Sequence, residues 1–134
     1  MELCPYLNFK GDCAAAFKFY EQLLGGTITM MQTYGETPAK DHAPADWQGK
    51  VLHARLEAGG KVLMGSDAPP SMFTPAQGMT VAISVASVAE GERIFKALSE
   101  GGTVRMPFQK TFWSPGFGDV VDRFGTPWMV NSGA

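Results

Sequence analysis

The chain contains a copy of itself. The segment LLGGTITM at 23–30 recurs as SEGGTVRM at 99–106, an offset of 76 residues. The same offset pairs Leu3 with Met79, Leu7 with Ile83 and Phe9 with Val85. Apolar residues alternate with one parity in both stretches (Leu3, Pro5, Leu7, Phe9; Met79, Val81, Ile83, Val85), which predicts a strand with one buried face opening each copy. A helix follows each strand. The first opens at Asp12 as N-cap, sets Cys13, Phe17, Tyr20 and Leu24 near one face and stops at Gly25-Gly26. The second opens at Ser87 with Glu90 three residues on, turns Ile94, Phe95 and Leu98 inward and stops at Gly101-Gly102.

Further strands are predicted at 27–34, 50–58 and 61–67, the last two joined by Gly59-Gly60, and again at 102–106, 117–122 and 126–131. A second offset, 65, aligns Gly60 with Gly125, Leu63 with Trp128 and Met64 with Met129. The pattern is a duplicated βαβββ unit: an α+β chain with module one at about 1–67, a linker at 68–77 and module two at 78–134, within one domain of 1–134. The polar, proline-containing loop 35–49 reads as mobile. One helix covers only one face of a four-stranded sheet, so the two modules are expected to share a sheet-lined cavity or to bury each other.

Composition narrows the function. A chain of 134 residues, 45% hydrophobic and 18% charged, can build a core without staples. The net charge of −2, with Lys and Arg spread evenly, excludes a nucleic-acid footprint and gives little support to an acidic groove for a cationic drug. Two cysteines, Cys4 and Cys13, make no disulfide framework, and MELCPYLNFKG is no signal peptide, so a cytoplasmic location is expected. No apolar run reaches the roughly 18 residues of a membrane span, so no membrane association is expected.

CPYLNFKGD at 4–12, FYEQLLGG at 19–26, VLHARL at 51–56, LMGSD at 63–67, KTFW at 110–113 and DRFGTPWMVN at 122–131 together resemble the PhnB-like branch of the vicinal oxygen chelate superfamily, which includes glyoxalase I, bleomycin resistance proteins and extradiol dioxygenases. The resemblance runs along nearly the whole chain. It implies the glyoxalase/bleomycin resistance fold, in which two βαβββ modules form a cupped mixed sheet, and a homodimer, but no established reaction, and fold alone supplies none. A methyltransferase label sometimes attached to such sequences has no glycine-rich cofactor loop to support it here. In metal-using relatives four ligands come from the first and last strands of each module. Those places fall here at Cys4 or Pro5, Thr80, Met64 and Met129. Thioethers are poor ligands for hard divalent ions, so no metal and no cofactor is expected at the inherited site.

Other candidates come from the residues themselves. His53 lies mid-strand with Arg55 on the face opposite Leu52, Ala54 and Leu56, and reads either as the one candidate for a catalytic base or hydrogen-bonding anchor or as a packed or dimer-interface histidine. His42 reads as solvated loop. Tyr6 and Asn8 lie opposite Leu7; Lys110, Phe112, Trp113, Trp128 and Asn131 supply aromatic walls and polar groups to a cavity or pack a core or interface, and Met64 and Met129 line a cavity or pack a core. Asp119, Asp122 and Arg123 form a charge pair or stabilise a turn, Asp122-Arg123-Phe124-Gly125 reading as the turn itself. The leading expectation is metal-independent binding of a small molecule in the cup. The alternatives are a metal-dependent lyase, isomerase or dioxygenase with a relocated site around His53 or His42, and a dimeric scaffold whose cup is filled.

Overall fold

Gly59 and Gly60 both take left-handed φ values, +56° and +77°, which β-branched or bulky residues resist and a two-residue hairpin requires. They join β3 (Val51–Ala58) to β4 (Lys61–Asp67). The computed structural model describes residues 1–133, which divide into one unit of Met1–Pro75 and a second beginning at Ala76, a boundary inside the expected linker. The first unit adds β1 (Tyr6–Phe9), α1 (Cys13–Leu24) and β2 (Thr27–Thr33). Its sheet runs β1-β4-β3-β2, with β1 parallel to β4 and the other pairs antiparallel. The second unit repeats this with β5 (Val81–Val85), α2 (Val88–Ser99), β6 (Thr103–Gln109), β7 (Gly116–Val121) and β8 (Pro127–Ser132), in the order β5-β8-β7-β6 with β5 parallel to β8. No helix among the described residues is long and apolar enough to cross a membrane.

The repeated Gly-Gly has two separate jobs. Gly25 ends α1 with φ +66°, its left-handed backbone turning the chain, and Gly101 holds φ +72° just past α2. The second glycine of each pair then passes so close to the neighbouring strand that a Cβ would strike a main-chain oxygen, that of Glu57 for Gly26 and of Val121 for Gly102. Helix α2 buries the expected Ile94, Phe95 and Leu98, and α1 buries Cys13, Phe17 and Tyr20 together with Ala16 and Leu23, while Leu24, expected in the stripe, is only half-buried.

Several expectations need correction. The first strands begin later than the alternation suggests, and Leu3 and Met79 are 94% and 80% exposed, outside the sheets. Asp12 precedes α1 but its side chain makes no capping hydrogen bond. Asp67, at the far end of β4, does that work: its Oδ1 accepts from the N–H groups of Gly11 (3.0 Å) and Cys13 (2.9 Å). Ser87 caps α2 as expected, accepting from the Glu90 N–H, but the Glu90 carboxylate accepts from Arg93 instead of completing the capping box that the Ser87–Glu90 spacing suggests. The loop 35–49 is built, not loose: three short 3-10 turns, Tyr34–Glu36, Pro38–His42 and Ala45–Trp47, bury Trp47 while the Gln48 amide donates to the carbonyls of Lys40 and Ala43. Strand β6 continues through Pro107 to Gln109, because an edge strand tolerates a residue without an N–H and its ladder is irregular there.

Candidate functional site

The helix-covered face of the first sheet is set by Gly65, where a Cβ would meet the Phe17 ring of α1. Strand alternation then puts Met64 and Ser66 on the opposite, open face. Register places Tyr6, Met64, Arg55 and Met30 in one row across four strands, with Asn8 beside Ser66 and Gln32 beside His53 in the next. Tyr6, Asn8, His53, Arg55 and Met64, all singled out in the sequence, therefore share this face.

Two of them touch. The Tyr6 hydroxyl and His53 Nδ1 are 3.1 Å apart, and the two rings stack with centroids 5.7 Å apart and planes 22° off parallel. With Nδ1 as acceptor the phenol donates, and the imidazole keeps its Nε2–H for another partner. Both rings are held by strands, so the pair presents a flat, rigid surface with one polar edge.

Arg55 brings in two residues that sequence reasoning missed. Its Nη1 and Nη2 each donate to one oxygen of Glu2 at 2.8 Å, and its Nε donates to Glu57 at 3.1 Å. The Glu2 hydrogen bonds hold the guanidinium pKa above its ordinary range, and the same contact keeps the Glu2 carboxyl below its own. Glu57 was within reach of sequence analysis, since period two from Arg55 sets it on the same face. Glu2 was not, because 53 residues separate it from Arg55 and no local rule joins them.

The second sheet is oriented by Gly118, where a Cβ would meet Phe95 of α2. Its open face carries the row Ala82, Met129, Asp119, Met106 and the row Ser84, Asn131, Phe117, Gln109. Asn131 and Met129 thus lie on the open face, as do Phe117 and Asp119. From Phe117 a ladder of rings runs outward: Trp113 is edge-on to it at 5.4 Å and Phe112 edge-on to Trp113 at 4.7 Å. Phe112 is 97% exposed, and Lys110 is exposed beside it. The loop that carries these rings is anchored by buried Ser114, whose hydroxyl donates to the Gly116 carbonyl at 2.9 Å.

Trp128 does not join them. It pairs with Val120 on the helix-covered face, is 1% exposed, and donates its indole N–H to Asp122 Oδ2 at 2.8 Å. A large aromatic in β8 therefore serves the core rather than a ligand wall. Asp122 also accepts the N–H groups of Phe124 and Thr126, which makes it the organiser of the turn, while the Arg123 guanidinium lies 4.4 Å from the Phe124 ring.

Of the positions where the resemblance puts metal ligands, only Cys4 carries a strong donor, a free thiol. Met64 and Met129 offer thioethers, and the Pro5 carbonyl already accepts the Met64 N–H. Among the described residues no three His, Cys, Asp or Glu side chains gather where they would hold an ion, around His53, His42 or elsewhere. One thiol and two thioethers do not fit a catalytic divalent metal. Nor is there a phosphate cradle at α1, since the amides of Gly11 and Cys13 are taken by Asp67.

Comparison with known proteins places this geometry. The family model described as 3-demethylubiquinone-9 3-methyltransferase matches residues 1–131. The crystal structure of protein PA1353 from Pseudomonas aeruginosa is 46% identical, covers 98% of this chain and 97% of its own, and superposes with a TM-score of 0.90. The PhnB protein from Bacillus cereus is 24% identical over 98% of this chain and 99% of its own, TM-score 0.84. The bleomycin-binding protein of Streptomyces verticillus, solved with copper(II)-bleomycin, shares the fold at 16% identity over 100% of this chain and 97% of its own, TM-score 0.60.

Proposed function

This chain belongs to the PhnB-like family of the glyoxalase/bleomycin resistance superfamily, and from that premise we propose that it binds a small molecule on the open sheet face of module one without the help of a metal ion. The observation that carries the reading is the stacked, hydrogen-bonded Tyr6–His53 pair standing beside Met64 on a face its helix leaves uncovered. Flat rings and a thioether supply apolar contact area, and one imidazole N–H sets orientation, a composition that suits a planar ligand. His53 serves as the polar anchor. The aromatic ladder of Phe112, Trp113 and Phe117, with Met129 and Asn131, gives module two an apolar wall of the same kind, with Lys110 exposed next to it.

The family description names a methyltransferase, yet the connection from β1 to α1 holds one glycine and that from β5 to α2 holds none, so neither forms a glycine-rich cofactor cradle. The proposal is therefore a binding activity. The homodimer implied by the family resemblance is part of it. Leu3 and Met79, equivalent in the repeat, each stand exposed ahead of the parallel edge strand of their own unit, and each suits contact with a second copy. Sedimentation equilibrium tests that part, a monomer at tens of micromolar counting against it.

The binding reading is tested by titrating neutral, anionic and cationic aromatic fragments into labelled protein and following the Tyr6, His53 and Met64 resonances. Chemical-shift changes concentrated on these three, and weakened by Tyr6→Phe and by His53→Ala, are expected. Fragments that perturb other surfaces alone would refute it.

A further inference from the structure

The polar half of the same face is arranged around a cation. The Arg55 guanidinium has two edges. Its Nε edge is held by Glu57 from two residues along β3, and the same Glu57 oxygen accepts from the Thr29 hydroxyl at 3.3 Å, so the arginine is oriented by the sheet itself. Its other edge, Nη1 and Nη2, meets the Glu2 carboxylate oxygen for oxygen, at 2.8 Å and 2.8 Å. Two parallel N–H···O bonds are the geometry in which a guanidinium recognises a free carboxylate.

Glu2 is a loosely attached occupant. Residues 1–5 have no regular structure, and the flanking Met1 and Leu3 are exposed. The Glu2 side chain is itself nearly half exposed, so the pair is worth little to the fold, on the order of an ordinary surface ion pair. A second carboxylate with the same two oxygens would replace it at small cost. Tyr6 and Met64 complete the row that Arg55 occupies, with the His53 ring stacked on Tyr6, so an apolar or aromatic body attached to that carboxylate has a wall to lie against.

We propose that the Nη edge of Arg55 is a carboxylate-recognition subsite, that the ligand of this face is a planar carboxylic acid in its anionic form, and that Glu2 is a built-in occupant which the ligand displaces. This inference rests on the reading of the module-one face as a binding site and narrows it to one chemical class. Glu2 thereby sets a threshold, since only an anion that matches its two oxygens competes for the arginine.

The test uses benzoate and its neutral isostere benzamide at constant ionic strength, with binding read from the Met64 and His53 resonances of the full chain and of the Glu2→Gln and Arg55→Gln variants. Benzoate is expected to bind Glu2→Gln about five-fold more tightly than the parent, the gain from removing one exposed competing ion pair. Benzamide is expected to bind parent and Glu2→Gln alike, and Arg55→Gln to lose the preference for benzoate. Equal benzoate affinity in parent and Glu2→Gln, or undiminished benzoate binding in Arg55→Gln, would overturn the proposal. If benzamide still perturbs Tyr6 and His53 in that case, the binding face survives without its carboxylate subsite. If neither compound perturbs them in any variant, both readings fall.

Discussion

Asp67 is 1% exposed and satisfies three main-chain donors from two distant segments: Gly11 and Cys13 through Oδ1, and Val51 through Oδ2 at 2.9 Å. It ties the start of α1 and the start of β3 to the end of β4. Asp67→Ala would strand those donors in the interior, and we expect a loss of roughly 3 kcal/mol or more in chemical denaturation. Asp12→Ala, by contrast, is expected to stay within about 0.5 kcal/mol of the parent, because that side chain makes no cap and buries an unpartnered oxygen. A sequence shows Asp12 in the N-cap position but not a carboxylate arriving from 54 residues away. Cys13 offers a second check at this scale. Burial, assisted by the charges of Asp67 and Asp12, pushes its thiol pKa far above the ordinary cysteine range, so the reactive thiolate is suppressed. A disulfide-exchange reagent is expected to titrate one thiol, Cys4, in the folded protein and two in urea; rapid reaction of both in the fold would contradict this burial.

At the scale of elements, the duplicated Gly-Gly is a packing requirement as much as a turn signal. Gly26→Ala and Gly102→Ala each push a methyl into a neighbouring strand's carbonyl, and each is expected to lower stability by about 2 kcal/mol or more in thermal or denaturant melts. Element type and order were legible because repeat, alternation and helix stops agree with one another. Faces were less so. Trp128 was grouped with the cavity aromatics, although the 65-residue offset already aligned it with Leu63, which faces the helix, and aligned Met64 with Met129, which do not. One residue's parity decides between core and ligand wall, and aromatic character alone carries no parity. Leu3 and Met79 misled for a related reason, since apolar alternation continues past the point where ladder hydrogen bonds stop.

Across the molecule, the two copies kept one backbone plan and diverged on their open faces. The row of Tyr6, Met64, Arg55 and Met30 has as its counterpart Ala82, Met129, Asp119 and Met106, so the methionines are retained while arginine is replaced by aspartate and tyrosine by alanine. His53, next in β3, has Phe117 in its place in β7. Neither row gathers the donors of a divalent metal site, and of the two it is the module-one row that carries a guanidinium, with the His53 imidazole next to it. These side-chain contacts were beyond sequence reasoning wherever they joined distant segments, as Glu2 and Arg55 do. Binding on the module-one face with no metal is tested by following the methionine methyl resonances of chelator-washed protein during titration with benzoate and benzamide. Met64 and Met30 are expected to shift with no ion added, while the exposed Met72 stays still. Silence at Met64 until zinc or nickel is supplied, or an ion retained stoichiometrically through the wash, would contradict it.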